Sequence, residues 1–370
     1  MRCVKYQGPL LLILAALVVC GCDDGKAPAG YGIAQRPRAT AYLSMPPTAA
    51  GPLPALLSQT GAFADTAAMK PAPALIAYEV NAPLWSDGAE KYRWISVPWG
   101  KKITFAAEGP WTFPKGTVLV KHFDLVVDHR ANPPRRQRIE TRLLVCDAQG
   151  GIYGASYRWR TDQADAELVR QVLREDLPIH TAQGQQTQTW LYPDSRQCLI
   201  CHTPVSGIVL GVQARQLNRP VSYPSGITDQ QLRAWNGLRL LKPALDESAI
   251  GKHPQLVDPA DAKQPLEQRV RSYLDANCSS CHLPGVTVAK FDARFQTPLA
   301  RQGLIGGRVV NDMGIKDAAV VVAGRPQQSV LLQRLQATDP TKMPPLGREV
   351  VDPAAVELMA QWIASLAARP

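Results

Sequence analysis

The chain has 370 residues, 45% hydrophobic and 19% charged, with a formal net charge of +10. That is enough apolar material for a real core and enough length for two or three domains, which excludes a globally disordered chain. The basic excess suits an acidic protein partner or an anionic membrane face, and no stretch has the pattern of a nucleic-acid-binding module.

Arg2 and Lys5 open the chain, and an apolar run follows from Leu10 to Val19. The run is too short to span a bilayer and the right length for the hydrophobic region of a signal peptide. It ends in "VVCGCD", where Gly21 and Cys22 resemble the lipobox of bacterial lipoproteins, whose cysteine is diacylated and becomes the new N-terminus. Cys20 is a poorer site, because Val19 precedes it. Asp23 resembles the residue that retains lipoproteins in the inner membrane of some Gram-negative bacteria. The expectation is a signal peptide over 1–22 and a periplasmic protein anchored to the inner membrane through Cys22. Acyl chains contribute about 0.8 kcal/mol per buried methylene, so several of them make a durable anchor. Residues 23–52 are rich in Ala, Pro and Gly without apolar periodicity and read as a flexible tether.

From 53 to 195 the pattern is that of strands. "RWISVPWG", "TVLVKHFDLVV", "RIETRLLVC" and "IYGASYRWR" are short, rich in β-branched and aromatic residues, and punctuated by Gly, Pro and Asp. Trp85, Trp94, Trp99, Trp111, Trp159 and Trp190 fall here and read as core filling. "HRANPPRRQR" reads as a solvated hairpin loop, with docking of an acidic partner as the functional alternative.

Beyond 195 helical spacing takes over. In "PLEQRVRSYLDANC", Leu266, Val270, Tyr273 and Leu274 form a face that runs into Cys278. In the closing "VDPAAVELMAQWIASLAARP", Asp352 is an N-cap, Pro353 takes the first helical position, and Val356, Met359, Trp362, Ile363 and Leu366 make a stripe. The fold class expected is α+β: a β-sandwich-like N-terminal domain, then a mainly α-helical region in two parts, 196–264 and 265–370, each holding one of the two motifs described next.

The chemistry lies in "DSRQCLICHTP" and "NCSSCHLPG". Of eight cysteines, Cys3 and Cys20 leave with the signal, Cys22 is the lipid site, four sit in these two CxxCH motifs, and Cys146 remains. That leaves no disulfide framework, and Cys146 reads as a small buried strand residue. The CxxC spacing turns both thiols toward one porphyrin edge, where each forms a thioether with a vinyl group, and the following histidine becomes the proximal iron ligand. Cys198 and Cys201 would hold one haem c with His202 on its iron; Cys278 and Cys281 would hold a second with His282. A thioredoxin-like dithiol needs a βαβ context that neither motif has. A zinc site built from the four cysteines gives no reason for a histidine after each pair. Met343, in "DPTKMPPLGR", lies in a polar loop stiffened by Pro344 and Pro345, where packing is a poor explanation for a methionine. It is the candidate sixth ligand of the second iron, and His/Met ligation raises the reduction potential.

From 265 onward this arrangement resembles class I cytochrome c, in which the helix entering CxxCH crosses a C-terminal helix. Here that contact is expected between Tyr273 and Leu274 and Trp362 and Ile363. "APLWSDGAEKYRWISVPWG", "FPKGTVLVKHFDL", "IETRLLV", "SRQCLICH", "LGVQARQLNR", "YLDANCSSCH" and "MPPLGR" occur in that order. Together they resemble a family of bacterial exported dihaem c-type cytochromes in which a β-rich region precedes two haem motifs. The resemblance implies two haems and electron transfer between redox partner proteins. His122 stands where the family pattern has a threonine. For the sixth position of the first iron the sequence offers His180, in a loop shortly before the motif, and His122, His129, His253, Met45, Met69 or an open site. The expected function is that of a membrane-tethered electron carrier. The alternative is a dihaem redox enzyme resembling cytochrome c peroxidase, with one electron-transfer haem and one open catalytic haem.

Overall fold

A computed structural model describes residues 25–287 and 291–366. The signal segment and Cys22 lie outside the described residues. The chain folds as mixed α+β around one large, mainly antiparallel sheet. Three short strands, β1 (Phe63–Asp65), β2 (Lys70–Pro71) and β3 (Ile76–Ala77), lead into β4 (Glu90–Ser96). After β5 (Ile103–Thr104) come the long strands β6 (Val118–Asp128) and β7 (Arg135–Cys146), then β8 (Ile152–Trp159), β9 (Ala166–Leu168) and the hairpin β10 (Leu173–Thr181)–β11 (Gly184–Tyr192). The sheet runs β11-β10-β6-β7-β8-β9, with β4 on the edge of β6 and β3 beside β4.

The run of short strands predicts a β-sandwich-like domain, and the structure builds it from one eight-stranded sheet. β6 and β7 are long, and bulges between Phe123 and Asp124 and between Val126 and Asp128 interrupt their register, the irregularity that bends paired strands. The β10–β11 hairpin joins β6 through the single pair His180–Asp128. Its Leu177, Ile179, Trp190 and Tyr192 pack with Phe123, Leu125 and Val127 of β6. One sheet with its own hairpin layered on it thus supplies the second layer.

Period-2 alternation assigns the two faces. Val118, Val120, Leu143, Val145, Tyr153 and Tyr157 point to one side, where Met45, Leu57 and Phe63 cover them. Leu119, Ile95, Val97 and Cys146 point to the other, and residues 209–250 roof that end, with Leu217, Leu232 and Trp235 fully buried. The roof carries α1 (Ser195–Cys201), α2 (Ala214–Leu217), the ribbon β12 (Pro220–Ser222)–β13 (Thr228–Gln230), α3 (Gln231–Gly237) and β14 (Leu241–Lys242), which pairs in parallel with β5. Cys146 is buried there, and desolvation pushes its thiol up to about 12.

The stretch read as a tether is fastened to the body from residue 25 onward. The Tyr31 hydroxyl donates to Glu247 at 2.6 Å, Gly32 N–H to Asp229 at 3.0 Å, the buried Arg36 to the Pro98 carbonyl at 2.9 Å, and Tyr42 N–H to Gly116 at 2.9 Å. Its composition is that of a linker, but these partners fasten it to the body.

The C-terminal part holds α4 (Leu266–Cys278), α5 (Val330–Gln336) and α6 (Pro353–Ser365). Tyr273, Leu274, Trp362 and Ile363 share one core cluster, as the stripes predict. Asp352 caps α6 by accepting from Ala355 N–H at 3.0 Å, with Pro353 at the first helical position.

Residues 83–87 bind this part to the sheet. Asn277 Oδ1 accepts from Trp85 N–H at 2.7 Å, the Trp85 indole donates to the Val350 carbonyl at 3.0 Å, and Asp87 Oδ1 accepts from Glu349 N–H at 3.0 Å and Val350 N–H at 2.9 Å. A buried ion pair, Arg215–Asp275 at 3.0 Å, joins α2 to α4.

Candidate functional site

The first CxxCH motif is the helix α1 itself. Asp194 caps it, accepting from Arg196 and Gln197 N–H at 3.0 Å each. Cys198 and Cys201 therefore lie about one turn apart on neighbouring rows of a short helix that packs on β8. The close approach depends on Gly154: a Cβ there would stand 2.5 Å from Cys198 Sγ. His202 follows the helix, and its Nδ1 lies 2.7 Å from the Ile208 carbonyl. A carbonyl only accepts, so Nδ1 carries the proton and Nε2 is the nitrogen left to bind a metal. Burial pushes the imidazole below its usual range against the pull of that carbonyl, and the charges of Lys121 and Arg142 push the same way as burial.

The second motif begins at the last residue of α4. Cys281 N–H and His282 N–H both donate to the Cys278 carbonyl, at 3.1 and 2.8 Å, which folds the motif into one more turn. Burial pushes the Cys278 thiol up to about 12. The His282 ring stacks on Phe291 with centroids 4.1 Å apart, and its buried Nδ1 has no hydrogen-bond partner among the described residues. Burial, and then the charge of Arg334, push this imidazole down to about 4. Both shifts favour the neutral imidazole, the form in which it is a ligand.

Met343 is half-buried in the loop after α5, and its N–H donates to the Arg334 carbonyl at 2.9 Å. Arg334, whose charge is felt at His282, thus ties the Met343 loop to the neighbourhood of the second motif. Met359 is a fully buried member of the core.

The two motifs meet. The Cys201 and Cys281 thiols are close enough to shift each other: the pair gives up its first proton below the ordinary thiol range and holds its second above it. The four sulfurs do not converge on one centre: among the described residues no three or more His, Cys, Asp or Glu side chains form a metal-holding group.

The histidines and methionines proposed for the first iron are dispersed. His180 was expected in a loop near the motif, and it lies in β10 instead. It pairs with Gln185 near the hairpin tip, whereas the pair Leu173–Tyr192 marks the end from which α1 starts. At 3.3 Å per residue those ends are roughly 23 Å apart. His129 is at the tip too, its N–H donating to the His180 carbonyl at 2.8 Å. His122 is buried on the sheet face away from α1, bonded to Thr141 Oγ1 at 2.7 Å and Asp124 at 2.8 Å. Met45 and Met69 belong to the cluster on that same face. His253 lies edge-on to Phe105 at 5.2 Å.

Sequence reasoning missed a row of cations. Arg93 of β4 pairs with Lys121 of β6, and Lys121 with Arg142 of β7, on the face that carries α1. Arg142 pairs with Glu140, fully buried, at 2.7 Å, and the Trp190 indole donates to the same carboxylate at 3.1 Å. The signal was present in "KYRWI", "LVKHFDL" and "IETRLLV": each places a cation at an inward-facing strand position. Comparison of the chain with family models, with curated proteins and with solved structures gives no match in any of the three.

Proposed function

We propose that this protein is a dihaem c-type cytochrome that carries electrons in the periplasm, held at the inner membrane through a lipidated Cys22. The observation that supports this most is the mutual influence of the Cys201 and Cys281 thiols, which puts two motifs from distant parts of the chain in one neighbourhood. Cys198 and Cys201 hold the first haem by adding their thiols across its vinyl groups, with no atom lost, and Cys278 and Cys281 hold the second. His202, with Nε2 left free, and His282 serve as proximal ligands, and Met343 is the sixth ligand of the second iron. The donor set fits: all six side chains of the two motifs are half-buried, as groups lining a cofactor are. When bound, haem supplies a reversible one-electron change at iron. The protein's part is to fix two such centres next to each other and exchange electrons with donor and acceptor redox proteins. The C-terminal part, with α4 and α6 in one core, serves as the class I cytochrome c-like domain.

The second reading, a dihaem redox enzyme resembling cytochrome c peroxidase, is favoured by one observation. His122 and His180 both lie away from the first motif, which favours a first iron whose sixth position neither of them fills.

Co-expression with a cytochrome c maturation apparatus tests the proposal. Two covalently bound haems per chain, both low-spin when oxidised and inert to peroxide, are the expected result. A high-spin iron with rapid peroxide reduction selects the enzyme, and a colourless product rejects both. Incorporation of labelled palmitate, lost in Cys22→Ser, tests the anchor.

A further inference from the structure

The row Arg93–Lys121–Arg142 spans three adjacent strands in direct register. Like charges opposite one another destabilise a sheet, and a charge taken from water without a partner costs several kcal/mol. Arg142 has Glu140. Lys121 has no carboxylate: among the described residues its ammonium meets only the face of Phe123, at 4.9 Å from the ring centroid. The charged groups acting on it are Arg93, Lys91 and Arg142 and one anion, Glu140, which is already paired with Arg142. Its neighbours have anions of their own, Asp352 and Asp87 for Lys91 and Glu79 for Arg93, so the unmatched charge of the row is that of Lys121. The wall therefore holds a surplus of positive charge on the half-buried face where the first motif sits.

Its position ties it to that motif. Arg142 acts electrostatically on Cys198 and Cys201, and both Lys121 and Arg142 act on His202. We infer that Lys121, with Arg93 and Arg142, forms the binding wall for the carboxylates of the first haem, and that these propionates are the missing counter-ions. The inference rests on the proposed function and goes beyond it by assigning a charge-pairing role to residues outside the motifs. Carboxylates at this wall make the chain electrostatically complete only when the cofactor is attached. The alternative source of the same chemistry, an acidic side chain of a partner protein, would leave the propionates untouched by Lys121.

Resonance Raman spectra of the holoprotein read this directly through the propionate bending bands. Lys121→Met shifts those bands of one haem, and Lys121→Arg, which keeps the charge, restores them. Thermal unfolding of the haem-free full-length chain gives the second reading: Lys121→Met melts higher than the wild type, because an uncompensated cation has been removed. Propionate bands identical in Lys121→Met and the wild type overturn the inference, and so does a haem-free Lys121→Met chain that melts lower. Wild-type protein without covalent haem sinks the proposed function instead, a result that no Lys121 variant mimics.

Discussion

Cys201 and Cys281 belong to motifs far apart in the chain, yet their thiols lie close enough for each to shift the other's ionisation. This proximity follows from two attachments: α1 is seated on β8 at Gly154, and α4 is held by Trp85 and Arg215. Cofactors bound through these sulfurs start from neighbouring points. The oxidised holoprotein is therefore expected to show dipolar coupling between its two irons in electron paramagnetic resonance. Replacing Cys278 and Cys281 with serine removes the coupling together with the second centre. Two sharp, independent signals in the wild type would contradict the arrangement.

Gly154 makes a narrower prediction. A methyl group at this position stands 2.5 Å from Cys198 Sγ and 2.9 Å from its Cβ, too close for any real contact. Gly154→Val forces α1 off the strand while leaving α4 and its motif untouched. Haem content, measured as pyridine haemochrome against protein mass, falls from two to about one per chain under the proposed function. Full loading at both motifs would show that α1 does not need this seat.

Much of this arrangement was legible in residues whose signal is local. Asp352 and Pro353 announce the start of α6, and the stripe through Trp362 and Ile363 names its buried face. What escaped depends on partners distant in sequence. Residues 25–52 have no periodicity, and Tyr31, Gly32 and Arg36 are held by Glu247, Asp229 and Pro98. His180 sits in the part of β10 that extends toward the exposed hairpin tip, so its neighbours are polar enough to pass for a loop. The cation row exists only as a register, because Arg93, Lys121 and Arg142 become neighbours once β4, β6 and β7 pair.

Met343 and Met359 separate ligation from packing. Met343 lies half-buried in its loop and outside the core cluster, whereas Met359 is fully buried within it. Met343→Ala is expected to abolish the sulfur-to-iron charge-transfer band and lower one reduction potential, since a methionine ligand raises it. In the haem-free chain the same change costs less than about 1 kcal/mol, in the range of substitutions away from the core. Met359→Ala has the opposite profile, costing about 2–5 kcal/mol of unfolding free energy and leaving the band in place. A charge-transfer band that survives Met343→Ala removes this residue from the ligand set.

Asp87 controls how the C-terminal part is fixed, and its ionisation gives that attachment a pH dependence of definite sign. Burial pushes its carboxyl above the usual carboxylate range, against the Val350 and Glu349 N–H groups that favour the ionised form. A carboxyl whose folded value is raised contributes stability that is present below its unfolded value, near 4, and is lost as pH rises through the folded value. Asp87→Asn keeps Oδ1 as acceptor for the Glu349 and Val350 N–H groups and has no charge to bury. It should therefore gain on the wild type as pH is raised from about 3 to 7 in urea unfolding. Asp87→Ala leaves both N–H groups without their acceptor and costs about 1–3 kcal/mol across that range. A wild-type minus Asp87→Asn difference that stays constant over the same interval would show that the carboxyl titrates there as it does in the unfolded chain, and that burial does not govern it.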